Sequence, residues 1–526
     1  MPEVDFRVRW PDGSPQRLTS PSRTIERALC VGARYPVDEF VRRTVEALAA
    51  GSDRVRRRYG FACTASTAAT REVKTRAAAQ PAGHVTVEAM CRREGQAAAA
   101  ALSGHVPVVI VGGGQAGLSM SWCLRAREVE HVILERHEVA ASWRRQRWDS
   151  FCLVTPNWQC RLPGHPYSAG DPDGFMVRDE ILRYIDDYVE SFAPPVVEGV
   201  DVISVAGADD GTFVVQTSAG TISADQVVLA VGGYHVPSLP RMAERLPQSV
   251  TQVHSSGYRC PEALPDGAVL VVGSGQSGAQ IAEDLHLAGR TVHLAVGTAP
   301  RVARFYRGRD VVAWLHDMGR YDLPITAHPE GPAARKEANH YVTGRDGGRD
   351  IDLRRFATEG MRLHGRLDTI TPGTLGFAGD LRSNLDGADL TDHRIKRTID
   401  RWIASEVIHA PPEGCYVPLW HPPATADAPY AVDLEAESIT SVVWATGFRP
   451  DWSWVKLPAF DGTGYPSHHR GVTSVPGLSV LGLPWLHTWG SGRFASIARD
   501  AEHLTDHVAA TIGAPANWAS LVRATA

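Results

Sequence analysis

The chain has 526 residues, a formal net charge of −5 and eight scattered cysteines. Its length exceeds what one core usually holds, so two or three domains are expected. The absence of a dense Lys/Arg block argues against nucleic acid or a membrane surface as partner, and no run reaches the roughly 18 apolar residues of a membrane helix. Cysteines without CxxC pairs or a His/Cys cluster exclude a disulfide framework and a metal site, and the start, MPEVDFRVRW, lacks the layout of a signal peptide. A cytoplasmic protein is the expectation.

VDFRVRWPDG alternates apolar and charged residues up to a Pro-Asp-Gly turn and reads as an edge strand entering a hairpin. PVDEFVRRTVEALAA, 36–50, puts Phe40, Val41, Val45 and Leu48 on one helical face, and HVTVEAM, 84–90, alternates again and could close a small sheet. SDRVRRRYGFAC reads as a solvated helix end rather than an anion site. These pieces make a small α+β module over 1–94, followed by a small-residue linker over 95–106. On FRVRWPDG and SDRVRRRYGFAC the module resembles small bacterial proteins associated with the nitrogen-starvation response.

From 107 the pattern becomes βαβ. VPVVIVG runs into GGGQAG and then a helix, so Gly112 permits the tight turn, Gly114 lets backbone approach a pyrophosphate and Gly117 allows helix to pack on strand. The pyrophosphate then sits on the unpaired amides of the helix start. HVILE ends in Glu135, about 20 residues on, where a carboxylate accepts the ribose hydroxyls. The Trp- and Arg-rich stretch 141–164 reads as a cofactor wall. VDVISV, FVVQT and GTISADQVVLAVGGYHVP form a meander returning to the nucleotide sheet.

A second copy, VLVVGSGQSG, sets Gly273, Gly275 and Gly278 in the same roles. Its second strand, TVHLAVG, ends without an acid, and Arg301 and Arg304 follow, which favours a 2′-phosphate and so NADPH. Part of 300–365 is expected to cover the nicotinamide. GRLDTI and LGFAGDL resemble strands returning to the first domain. A helix and a Pro-rich stretch form an insertion at about 385–430, whose Tyr416, Trp420 and His421 either cap a pocket or sit in a surface insertion. SITSVVWATGFRPD is a strand ending in ATG, and a helix beginning about Ser491 should point its amides at developing negative charge.

The ordered set GGGQAG, SWRRQRWDS, HSSGYRCP, GSGQSG and WATGFRPD resembles the class B flavin monooxygenases over about 107–510. In detail it is similar to a bacterial FAD-dependent oxidoreductase family found beside nitrilases in nitrogen-starvation or cyanide-assimilation gene clusters. The resemblance implies an α/β fold of two Rossmann-like domains, the NADPH domain (266–366) inserted between the FAD-domain segments 107–265 and 367–526. It places Trp143 and Arg144 beside the flavin nucleotide and extends the cofactor-binding set to Gln115, Ala116, Arg136, Val202, Gln276, Ser277, Thr446, Gly447 and Ser491. His254 and Tyr258 match the HxxxF/Y end of a fingerprint linking the two sites, although Gln248 and Val250 stand where Phe and Gly are expected. Asn157 loosely matches an asparagine that positions the flavin edge; His254 and Asn157 are therefore the catalytic candidates.

The implied reaction passes hydride from NADPH to FAD, forms a C4a-(hydro)peroxide with oxygen and oxygenates a small nitrogen-containing substrate. The flavin carries the hard chemistry, so a missing triad or metal cluster is no obstacle. The alternatives are a flavoprotein reductase without oxygen insertion and a flavin-binding regulator whose N-terminal module recruits a partner. Whether that module makes a homo-oligomer is open at this stage.

Overall fold

A computed structural model describes residues 4–20, 24–59, 64–92, 102–336 and 338–512. The chain divides at Ser103/Gly104 into two compact units, with residues 197–199 grouped with the first. In the first unit, β1 (Val4–Arg9), β2 (Pro15–Ser20), β3 (Arg34–Pro36) and β4 (His84–Arg92) form one antiparallel sheet in the order β2-β1-β4-β3. The first strand is thus interior and not an edge, because β4 pairs along its free side through Phe6↔Met90 and Val8↔Val87. The helix α1 spans Val37–Tyr59, longer than its apolar repeat suggested, and Phe40 meets Trp10 edge-on at 5.5 Å. The side chains of SDRVRRRYGFAC and the small-residue stretch 93–101 lie outside the described residues.

The two largest sheets of the second unit repeat one plan. In the first, β5 (Leu102–Val111) pairs in parallel with β6 (His131–Glu135), and beyond β5 lie β7 (Gly220–Leu229) and β8 (Leu478–Val480), themselves parallel. The strand β5 starts at Leu102, inside the stretch read as linker. Its turn leads into α2 (Gln115–Ala126), against which the last helix among the described residues, α3 (Ile497–Thr511), packs through Thr505 and Met120.

The second sheet is parallel throughout: Thr251–His254, Ile439–Trp444, Ala268–Val272, Val292–Ala295 and Arg362–His364, in that spatial order. AVLVV is buried at every position, as a strand covered on both faces requires. The segments GRLDTI and LGFAGDL do not return to the first sheet. They join Tyr430–Asp433 in a three-stranded antiparallel sheet, and Ile370, Leu375 and Phe377 pack with Leu270, Val442 and Trp444 of the second sheet. The strand SITSVVW also belongs there, paired Val271↔Val443, so the second nucleotide unit draws chain from both sides of 266–366.

The insertion opens as a helix, Leu381–Ser405, whose buried Asp389 accepts from Arg301 Nε (2.5 Å) and Arg354 Nε (2.9 Å). Tyr416 lies against Arg301, ring centroid 3.9 Å from the guanidinium carbon, and the Trp420 carbonyl accepts from Arg354 at 3.0 Å. The insertion therefore anchors an ion-pair knot. Among the described residues, no helix is long and apolar enough to cross a membrane, and no group of three or more His, Cys, Asp or Glu is arranged to hold a metal.

One buried cluster gives the second sheet a pH dependence. His293 Nδ1 and His364 Nε2 lie 3.0 Å apart, and His364 Nδ1 meets the Tyr430 hydroxyl at 2.7 Å. Burial, with Arg362 nearby, lowers His293 to about 4 and, with His293 as a further cause, His364 to about 3. Between those values and 6.5 the unfolded chain binds more protons, so this contribution is complete above pH 6.5 and is lost as pH falls. From pH 6.5 to 5, one such histidine removes about 1.6 kcal/mol. Denaturant titrations should show that decline in the parent protein and a flatter profile in His293→Gln; equal profiles would refute it.

Candidate functional site

Each of these two sheets presents a glycine turn to a helix start. Gly112 (φ +110°) and Gly273 (φ +101°) adopt a backbone that favours glycine, and a Cβ there would meet the carbonyl oxygen of Ala230 or Ala445 at 2.7 Å. A Cβ on Gly117 or Gly278 would stand 1.9 or 1.8 Å from the carbonyl oxygen of Gly112 or Gly273. By contrast, Gly114 and Gly275 have nothing within 4 Å of a built Cβ. They are the N-caps of α2 and α4 (Gln276–Leu287), and no side chain caps either helix. Open space in front of uncapped amides fits a pyrophosphate at both places.

Glu135 completes the first cradle. Its Oε2 accepts from Gly113 N at 2.7 Å and its Oε1 from His137 N at 2.9 Å, leaving lone pairs for ribose hydroxyls. Arg136 beside it is exposed. The glutamines after the glycines are latches: Gln115 Nε2 donates to the Gly492 carbonyl (3.1 Å), and Gln276 Nε2 to that of Val342 (2.6 Å). Trp143 Nε1 donates in turn to Gln115 Oε1 at 3.1 Å, and the Trp143 ring stacks on Phe494 with centroids 5.6 Å apart. Ala116 is buried and Ser277 exposed, each in the first turn of its helix. Val202 begins the strand Val202–Gly207, paired with Thr217.

Several sequence expectations fail on partner identity. Arg301 and Arg304 are 3% and 1% exposed; Arg301 is tied to Asp389, and Arg304 donates to Asp310 Oδ1 and the Val154 carbonyl, both at 2.7 Å. Neither guanidinium is free for a 2′-phosphate. Arg144 is committed to Asp186. Asn157 is buried, with its amide donating to the Asp171 carbonyl (2.9 Å) and accepting from Met176 N (2.8 Å), so it holds the 171–176 loop. The helix expected at Ser491 starts at Ile497, because the buried Ser491 hydroxyl accepts from the amides of His487 and Thr488 and folds a turn there.

His254 bonds through Nε2 to the Gly447 carbonyl (2.9 Å) and through Nδ1 to Ser256 Oγ (2.9 Å), and burial lowers its pKa. It ties the end of the strand Thr251–His254 to the ATG turn. Thr446 donates to the Ser238 carbonyl, and Val236 pairs with Arg449, so the segments that follow Gly220–Leu229 and Ile439–Trp444 form a ribbon between the two sheets. The sequence reading matched Tyr258 without its partner: its hydroxyl donates to Asp284 Oδ2 at 2.8 Å, a contact that spacing alone does not reveal.

Residues 5–90 match the family of the nitrogen starvation-induced protein NitG, and residues 109–318 match the pyridine nucleotide-disulphide oxidoreductase family. An uncharacterized oxidoreductase, CzcO-like, of Geobacillus kaustophilus (strain HTA426) is 32% identical over 408 residues, 77% of this chain and 98% of that protein. Among solved structures, a flavin-containing monooxygenase from Stenotrophomonas maltophilia shares the fold at 21% identity and a TM-score of 0.53, over 77% of this chain and 99% of that one. A bacillithiol disulfide reductase from Bacillus cereus shares it at 14% identity and a TM-score of 0.50, with the same coverages.

Proposed function

The chain belongs to the CzcO-like oxidoreductase family, and on that premise we propose that it is a monooxygenase that uses FAD and NADPH to oxygenate a small nitrogen-containing substrate. The observation that carries this reading is the pair of open, uncapped glycine cradles, one with Glu135 at its ribose edge and one without an acid at the matching strand end. FAD, when bound, supplies a ring that takes hydride from NADPH and reduces oxygen. The protein's share is to hold and orient. Gly114 and Glu135 would receive FAD, and Gly275 the second nucleotide; Val-Gly-Thr-Ala after the second strand offers no carboxylate to repel a 2′-phosphate.

Trp143, Phe494 and the Gln115 latch make an apolar wall beside the first cradle, and excluding water there protects reactive species from wasteful decay. The nitrogenous substrate is supported by the N-terminal match to a nitrogen starvation-induced protein. The reductase reading has one argument in its favour, the fold shared with a disulfide reductase. Against its disulfide-reductase branch, the sequence has no CxxC pair, and Cys123, Cys152 and Cys160 are buried free thiols pushed up to about 12.

NADPH oxidation by the FAD-loaded protein under ¹⁸O₂, across small amines, nitriles and thioethers, tests the proposal. A product heavier by one labelled oxygen is expected, with NADPH preferred over NADH. NADPH consumption matched wholly by hydrogen peroxide, or by reduced acceptor, would overturn oxygenation.

A further inference from the structure

One face of α4 is polar although the fold buries most of it. Gln276, Gln280, Glu283 and Asp284 recur at the spacing that lines up along a helix, and the last three are buried. All four are spent on one short loop, 342–349. Gln276 Nε2 (2.6 Å) and Gln280 Nε2 (3.4 Å) donate to the Val342 carbonyl, Arg349 Nη1 lies 3.1 Å from Glu283 Oε1, and Arg345 Nη1 donates to Asp284 Oδ1 at 3.0 Å. Well-packed apolar residues would stabilise such a contact as much, because buried charges are costly to desolvate; what the polar face adds is a fixed register between helix and loop.

The loop is closed on itself. Thr343 and Arg349 bridge its base, each amide donating to the other's carbonyl (3.4 and 3.3 Å), and the Arg345 amide donates to Thr343 Oγ1 at 3.0 Å. Its far side fits without spare room. A Cβ on Gly344 would stand 2.0 Å from the Leu153 carbonyl oxygen, and one on Gly348, at φ +94°, would stand 2.7 Å from the Phe175 ring and 2.8 Å from Arg304 Cδ. Arg304 in turn donates to the Val154 carbonyl at 2.7 Å, with its guanidinium 4.7 Å from the Phe175 ring centroid. Leu153 belongs to the core of the first sheet, and Phe151 meets Trp143 edge-on at 5.9 Å. The loop is therefore wedged between the helix that starts at the second cradle and the wall beside the first. Hydride transfer needs its reacting atoms held about 3–3.5 Å apart, and a misplacement of about 1 Å costs on the order of 100-fold in rate.

We propose that the loop 342–349 is the spacer that sets the second cradle against the wall of the first, with Gly348 and Arg349 as positioning residues for hydride transfer between the two nucleotides. This rests on the reading of the cradles as FAD and NADPH sites. The test is anaerobic stopped-flow reduction of the FAD-loaded protein by saturating NADPH, in the parent and in Arg349→Ala, Arg349→Lys and Gly348→Ala. The limiting rate of flavin reduction should fall tenfold or more in Arg349→Ala and Gly348→Ala, and Arg349→Lys should recover most of it. The long-wavelength charge-transfer absorbance of reduced flavin against NADP⁺, which requires the two rings in contact, should shrink in the same two variants. FAD content, the Kd for NADP⁺ and the reoxidation by oxygen of dithionite-reduced protein should stay parental.

Parental reduction rates in Arg349→Ala and Gly348→Ala would overturn the proposal. Loss of FAD or of NADP⁺ affinity in step with the rate would make the loop a support of one cradle only and overturn it too. A parent protein whose flavin NADPH does not reduce would sink the cofactor reading, and the spacer with it. Oxygen insertion is read separately, by the ¹⁸O label, and its failure leaves the spacer standing.

Discussion

Gly117→Ala should yield protein that no longer retains FAD, whereas Gly278→Ala should stay yellow and lose its response to NADPH. The reason is the same at both places. The new methyl would stand within 2 Å of a backbone carbonyl oxygen, that of Gly112 or Gly273, and no flexible side chain can yield. The helix must lift from its strand, which costs about 1–3 kcal/mol or more and moves the amides that cradle the phosphate. The ratio of flavin to protein absorbance after purification reads the first variant, and the KM for NADPH, raised tenfold or more, reads the second. If both variants lose FAD alike, or if Gly278→Ala alone does, the assignment of cofactors to cradles is reversed or wrong.

Asp284→Ala is expected to have the next largest effect. This buried carboxylate on α4 accepts from Ser150 Oγ (2.6 Å), Arg345 Nη1 (3.0 Å) and the Tyr258 hydroxyl (2.8 Å). The three donors come from the aromatic stretch after the first nucleotide motif, from the segment just before the second glycine turn and from the long charged segment. Removing the acceptor leaves a tyrosine, a serine and a partly buried guanidinium without their partner, a loss of about 3 kcal/mol. The melting temperature should fall by roughly 3–4 °C. Hydride transfer from NADPH to the flavin should slow about tenfold as the two glycine-turn sheets lose their register, with Asp284→Asn intermediate. A variant melting and reducing like the parent would show that Asp284 is only a local partner.

The local parts of this fold are written plainly in the chain. Both glycine turns, the carboxylate at Glu135, its absence after the second strand and the helix faces depend on neighbours within about 20 residues, where spacing fixes geometry. GGGQAG and GSGQSG even disclosed a shared architecture, because the same steric constraints forbid a side chain at the same steps of each turn. The matching glutamines were visible as letters, but their latching onto the Gly492 and Val342 carbonyls was not.

What long-range packing settled is which polar group meets which. Arg301 and Arg304 carry the right charge just past the right strand, yet Asp389 and Asp310 neutralise them. Asn157 spends both ends of its amide on one loop, and Ser491 ties a turn where a helix was expected. Arg147 stands inside a motif already recognised, and nothing in its neighbours by sequence sets it apart from Arg144. Only the folded chain gives Arg144 its aspartate and leaves Arg147 over a tryptophan ring. Steric rules act over a turn and can be read along the chain; charge compensation acts through space, between segments that the sequence does not place together.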